Sequence, residues 1–116
     1  PTWSRHIAQV SAQIIAQLDG DPQAWQRVSG TYHLVSGGEC SWHEFAERIV
    51  AHQGLHEPVK AQRIVPIATH EYPLPAPRPA YSVLNTDKLL DTFGLRLPDW
   101  QEALAQVQQE LEQERF

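Results

Sequence analysis

Arg78 stands between Pro77 and Pro79, with Pro75 shortly before. Each proline ring locks φ near about −65° and biases the residue ahead of it toward extended geometry. A stiff backbone therefore points one long cation in a narrow range of directions. The loop runs into a helix that Asn85 or Thr86 can cap and Asp87 can open. A guanidinium matches phosphate oxygens two at a time, so such a loop can grip an anion. The competing reading is a proline-rich connector carrying a solvated arginine, since most surface loops serve no ligand.

Six histidines raise the question of a metal. Only His52 and His56 have a spacing that puts two imidazoles on one helical face. Gly54 between them reads as the end of the helix, which would separate them. Neither H-E-x-x-H nor C-x-x-C accompanies them, so a structural zinc site is not expected. Cys40 and His43 lie close together at a helix start, where a thiol pKa can be depressed. No third group orients the imidazole for nucleophilic work. Gly37 and Gly38 before a capped helix suggest a phosphate turn. With no G-x-G-x-x-G and no P-loop lysine, they read as a tight turn instead. His33, inside a strand-like run, reads as a hydrogen-bonded structural residue.

The elements that must position these residues follow from periodicity. Ile7, Val10, Ile14, Ile15 and Leu18 recur at helical spacing, with Thr2 as cap and Gly20 and Pro22 as the stop. Arg5 and His6 fall in the first turn, where a cation opposes the dipole by about 0.3–1 kcal/mol; both are expected at the surface. Asp19 to Gly30 reads as a polar connector. Thr31 to Val35 reads as a strand bounded by glycines. Ser41 with Glu44 forms a capping box for a helix that turns Phe45, Ile49 and Val50 inward. Val59 to Ile67 reads as a second strand, at an edge because of Pro66. Thr86 to Phe93 is a short helix stopped by Gly94. Pro98, Asp99 and Glu102 open the last helix, striped by Trp100, Leu104, Val107 and Leu111. The tail from Glu110 to Arg115 is expected to fray. This order predicts an α/β chain, helix-rich with two or three short strands. So few strands make no stable sheet alone, and the strand at Thr31 calls for neighbours from elsewhere.

A length of 116 residues suits one domain with a modest core. The net charge of −5 and the absence of a Lys/Arg cluster argue against nucleic acid. No apolar run approaches the roughly 18 residues of a membrane span. A lone Cys40 forms no internal disulfide and fits a reducing, cytoplasmic setting. The sequence has no Met, even at position 1, which implies processing or a fragment.

RPAYSVLNTDKL followed by FGLRLPDWQEAL resembles the C-terminal signature of the dTDP-4-dehydrorhamnose reductases, extended members of the short-chain dehydrogenase/reductase superfamily. GTYHLVSGGECSWHEFAERI resembles the strand–loop–helix segment before it. PTWSRHIAQVSAQII resembles the helix after the family's Gly-x-Pro-Thr turn. The match runs in order along essentially the whole chain. It implies the C-terminal substrate-binding part of a Rossmann-like reductase in dTDP-rhamnose biosynthesis. That part would be a single substrate-side domain, with residues 1–54 associated with the Rossmann sheet and 55–116 forming a substrate lobe. The resemblance further implies NADPH or NADH in the intact enzyme, not bound by this chain, and a nucleotide-linked sugar as substrate. Its partners would be the missing N-terminal Rossmann part and a second copy in a homodimer, with no nucleic acid and no membrane.

Such a reductase needs a Gly-rich dinucleotide loop and a Tyr-x-x-x-Lys pair. Four residues after Tyr32, Tyr72 and Tyr81 come Ser36, Ala76 and Asn85. The chain is therefore expected to hold no catalytic residue and to be inactive alone. By resemblance Arg78 contacts the substrate diphosphate or its neighbourhood, Tyr81 and Ser82 line the same pocket, and Thr2 approaches the sugar. Trp42 and His43 match a structural pair. Some members dimerise through magnesium held by acidic side chains, and Glu110 matches one such position. Arg5 stands near another, where a cation does not suit an ion that wants oxygen ligands. Two alternatives remain: a non-catalytic regulatory or binding subunit on the same fold, and a related sugar-nucleotide epimerase or dehydratase.

Overall fold

The computed structural model describes residues Pro1–Glu114. They form α1 (Ser4–Leu18), α2 (Pro22–Val28), α3 (Trp42–His56), a 3₁₀ turn (Thr69–Glu71), α4 (Asp87–Phe93) and α5 (Trp100–Glu114). The chain divides into two units, one built from Pro1–Gly38 with the chain from Val83 onward, the other from Glu39–Ser82.

In the first unit α1 buries His6, Val10 and Leu18 and half-buries Ile14, one row at four-residue spacing. Ile7 and Ile15, expected in that row, point outward instead. Val10 packs with Leu89 of α4 and with Leu97, and Tyr32, Leu34, Phe93 and Leu95 close around them. Gly94 ends α4 with φ +66°, and its N–H donates to the Leu90 carbonyl at 2.8 Å. A residue with a Cβ would be strained there. The Gln17 amide donates to the Phe93 carbonyl (3.0 Å), so α1 also holds the end of α4.

The expected strands are absent. Among the described residues the only pairing of strand type is an isolated parallel bridge between Gly37 and Asp99. Residues 31–35 have the composition of a strand, but a strand exists only when a neighbour accepts and donates along its length. Here the Thr31 carbonyl is taken by Lys88 Nζ (2.9 Å), and Ser36 N–H by the Thr2 hydroxyl (3.2 Å). The 59–67 stretch is likewise irregular. The architecture is thus helical, without the two or three strands.

α2 occupies what reads as a connector. Asp21 Oδ1 accepts from Ala24 N–H (2.9 Å), and Pro22 sits at the first helical position, where its missing N–H costs nothing. The proline that ends one helix starts the next. Thr2 does not cap α1: Trp3 holds that place, with no side-chain bond to the helix. At the other end α5 stays helical through Glu114 rather than fraying from Glu110; Arg115 lies outside the described residues.

In the second unit Ser41 Oγ accepts from Glu44 N–H (3.0 Å) and starts α3. The helix half-buries His43, Phe45, Ala46 and Val50, while Ile49, expected inward, is 38% exposed. His43 Nε2 donates to the Ile64 carbonyl (3.2 Å), pinning the irregular stretch to the helix.

Candidate substrate-binding site

The proline loop belongs to the second unit. Glu71 accepts from Ala68 N–H (2.6 Å) and shapes the turn at its start. At its end the Tyr81 hydroxyl donates to Glu39 Oε2 at 2.7 Å. That bond, with the Glu39 charge adding to it, pushes the Tyr81 phenol above its ordinary pKa. The pairing anchors the end of the loop to the residues ahead of α3. Arg78 and Ser82 are exposed. The structure therefore presents Arg78 on a segment tied at one end by Tyr81, with the guanidinium open to solvent.

Thr2 lies in the first unit, where its hydroxyl holds the end of the 31–36 segment through Ser36 N–H. Glu110 is ion-paired with Arg5, whose guanidinium also lies over the Trp3 ring, 4.5 Å from its centroid. A carboxylate already held by a cation is a poor start for a magnesium site. His6 is not at the surface: it is 5% exposed, and Nε2 donates to the Gln106 amide oxygen at 3.0 Å.

Gly37 and Gly38 serve packing. Gly37 N–H donates to the Pro98 carbonyl (3.1 Å), and Trp100 N–H donates to the Gly37 carbonyl (3.0 Å). A Cβ at Gly37 would collide with the Asp99 carboxylate, and one at Gly38 would lie 3.1 Å from the Trp100 ring. With Gly37 N–H spent and no further glycines in sequence, the turn does not fit a dinucleotide pyrophosphate. Beside it a cleft of about 370 Å³ is lined by Gly37, Asp87, Arg96, Asp99 and Glu102 among others, and by none of Arg78, Thr2, Tyr81, Ser82 or Glu110.

Three further expectations change. Burial, with the Glu44 carboxylate adding to it, pushes the Cys40 thiol up rather than down. His43 is structural as expected, but its neighbour Trp42 is 86% exposed, edge-on to Phe45. Gly54 does not end α3: the helix runs to His56 and brings the His52 and His56 rings to 4.9 Å. The Tyr81–Glu39 bond went unseen in sequence, since nothing local in either residue marks a partner so far along the chain.

Comparison with known proteins decides the family. The description "RmlD substrate binding domain" matches residues 1–113. The chain belongs to this family. It is 45% identical over 107 residues to a dTDP-4-dehydrorhamnose reductase of Burkholderia thailandensis, covering 90% of this chain and 36% of that protein. It is 36% identical over 114 residues to one of Escherichia coli, covering 96% and 36%. It is 34% identical over 110 residues to the spore coat polysaccharide biosynthesis protein SpsK of Bacillus subtilis, covering 95% and 33%. The chain spans about a third of the length of these relatives. No helix among the described residues is long and apolar enough to cross a membrane.

Proposed function

We propose that this chain is the substrate-side portion of an NADPH-dependent dTDP-4-dehydrorhamnose reductase, acting in the cytoplasm on a dTDP-linked 4-keto-6-deoxy sugar. The observation that carries the reading is the substrate-binding-domain match along residues 1–113, together with relatives named for that activity. In the intact enzyme a nicotinamide cofactor supplies the hydride for the 4-keto group. No Gly-rich dinucleotide loop and no Tyr-x-x-x-Lys pair occur in this sequence, which supports a part in binding and orientation. Arg78 takes the diphosphate, because a planar cation on a proline-stiffened backbone loses little freedom on pairing with phosphate oxygens. Tyr81 and Ser82 line the same side, and Thr2 approaches the sugar end. An N-terminal Rossmann part, and in some settings a second copy of the chain, would complete the assembly.

The test is made in the longer protein. Arg78→Ala should raise KM for the keto-sugar about tenfold or more while kcat changes less, with Arg78→Lys recovering part of the loss. The 116-residue chain alone should not oxidise NADPH with the keto-sugar, and the N-terminal part should restore turnover. Turnover by the isolated chain would overturn the reading.

A further inference from the structure

We propose that His52 and His56 together form a two-imidazole chelate for a divalent late first-row transition cation, Zn²⁺ or Cu²⁺, on the last turn of α3. The proposal is independent of the reductase reading. Four of the six histidines stand elsewhere: His6, His33 and His43 bond to Gln106, the Asn85 carbonyl and the Ile64 carbonyl, and His70 sits in the 3₁₀ turn. His52 and His56 are the two that converge.

The geometry suits chelation. One helical turn separates the residues, and their ring centroids lie 4.9 Å apart at an interplanar angle of 39°. Their candidate ligand nitrogens lie within 4.8 Å of each other. Two Zn–N bonds of about 2.0–2.1 Å at a tetrahedral angle need the nitrogens roughly 3.3 Å apart, a gap that small side-chain rotations close. Once one imidazole binds, the second is already at high effective concentration, and the remaining positions are left to water or an outside ligand. The site also lies at the negative end of the helix dipole, which favours a cation. Imidazole nitrogen selects zinc or copper over magnesium or calcium, with copper the tighter.

A bound ion would act on the helix as well. Gly54, the least helix-favouring residue type apart from proline, lies between the two ligands. Clamping the residues on either side of it would stiffen the last turn up to Glu57, whose N–H donates to the Gln53 carbonyl at 3.1 Å.

The test is titration of the full chain with Zn²⁺ against a chromophoric competitor, repeated with Cu²⁺. Saturable binding of one ion per chain is expected, with copper tighter. His52→Gln and His56→Gln should each weaken it about 100-fold, and the double variant little further, because either loss destroys the chelate. His70→Gln should leave it unchanged. Far-UV circular dichroism shows whether each variant keeps its helices. As a second readout, Zn²⁺ should slow amide exchange at residues 54–57. Binding that survives both His52→Gln and His56→Gln, or no saturable binding in a folded chain, overturns the proposal.

Discussion

The two units of this chain are built on different terms. The first buries Val10, Leu18, Leu89, Leu97, Trp100 and Ala103, with Leu89 only 1% exposed. The second, Glu39–Ser82, has no buried residue, and it leaves Trp42, Leu55, Tyr72 and Leu74 more than half exposed. One unit is held by a core, the other by local capping and a few hydrogen bonds, those of Ser41, His43 and Tyr81. The loop with Arg78 belongs to the second. Loops that contact ligands are commonly drawn from the weakly held end of a structure, because ordering is then coupled to binding. The difference places the buried core in one stretch of sequence and the proposed recognition loop in the other.

Truncation of the buried core should separate the two units most sharply. Leu89→Ala should destabilise the first unit by about 2–5 kcal/mol, measured by denaturant unfolding. Ile49→Ala in α3, already 38% exposed, should shift stability by no more than about 0.5 kcal/mol. Comparable losses would mean that the second unit hides a core of its own.

Gly37→Ala comes next. Gly37 is not in the left-handed region, so the penalty is steric alone: the added methyl meets the Asp99 carboxylate. A loss of about 1–3 kcal/mol is expected. Asp99→Ala should restore most of it, because the backbone beyond is at ordinary contact distance. A loss that Asp99→Ala does not relieve would place the constraint in the backbone.

Ser41→Ala sharpens the contrast in the second unit. Removing this cap should cost about 1 kcal/mol. In a unit without buried side chains that is a large share of local stability. Amides of α3 should exchange faster while those of α1 keep their protection. Equal acceleration in both helices would show that the units open together.

Most helices were legible because each carries its own signals. α1, α3, α4 and α5 show apolar spacing with recognisable ends at Gly20, Ser41, Gly94 and Pro98. α2 was missed because Asp21-Pro22 reads as a stop after α1, while the same pair caps and opens a new helix. The strands failed for another reason. The β-formers of residues 31–35 state a preference, but pairing depends on a partner, and none of these helices provides one. The family was readable from contiguous runs such as RPAYSVLNTDKL. The contacts around the candidate site were not: Tyr81 with Glu39 and Arg5 with Glu110 join residues far apart in sequence. Gly54 reads as a stop between His52 and His56, but one glycine costs a helix only about 1 kcal/mol, and α3 runs through it.

The Tyr81–Glu39 bond offers a titration. The Tyr81 pKa is raised in the folded state, so the bond's stabilisation is fully present below the ordinary tyrosine range. It is lost as pH rises through the folded value. Ultraviolet titration should show the Tyr81 phenol ionising late, and Glu39→Gln should bring it back toward the ordinary range. If it stays late, the carboxylate is not what holds the proton, and the loop end lacks the anchor assigned to it.

The smallest effect expected is at Arg5, and it separates two contributions. The Arg5–Glu110 pair is partly exposed, with side chains 52% and 34% accessible, so screening limits it to about 0–1 kcal/mol. The contact with the Trp3 ring adds about 0.5–1 kcal/mol. Glu110→Gln removes the ion pair and leaves the ring contact, whereas Arg5→Gln removes both. Arg5→Gln should therefore be the more damaging in thermal unfolding, and the effect of Glu110→Gln should vanish at high salt, where exposed charges are screened. If both variants fade equally with salt, the stacking on Trp3 contributes nothing. Arg5 would then be fixed by Glu110 alone.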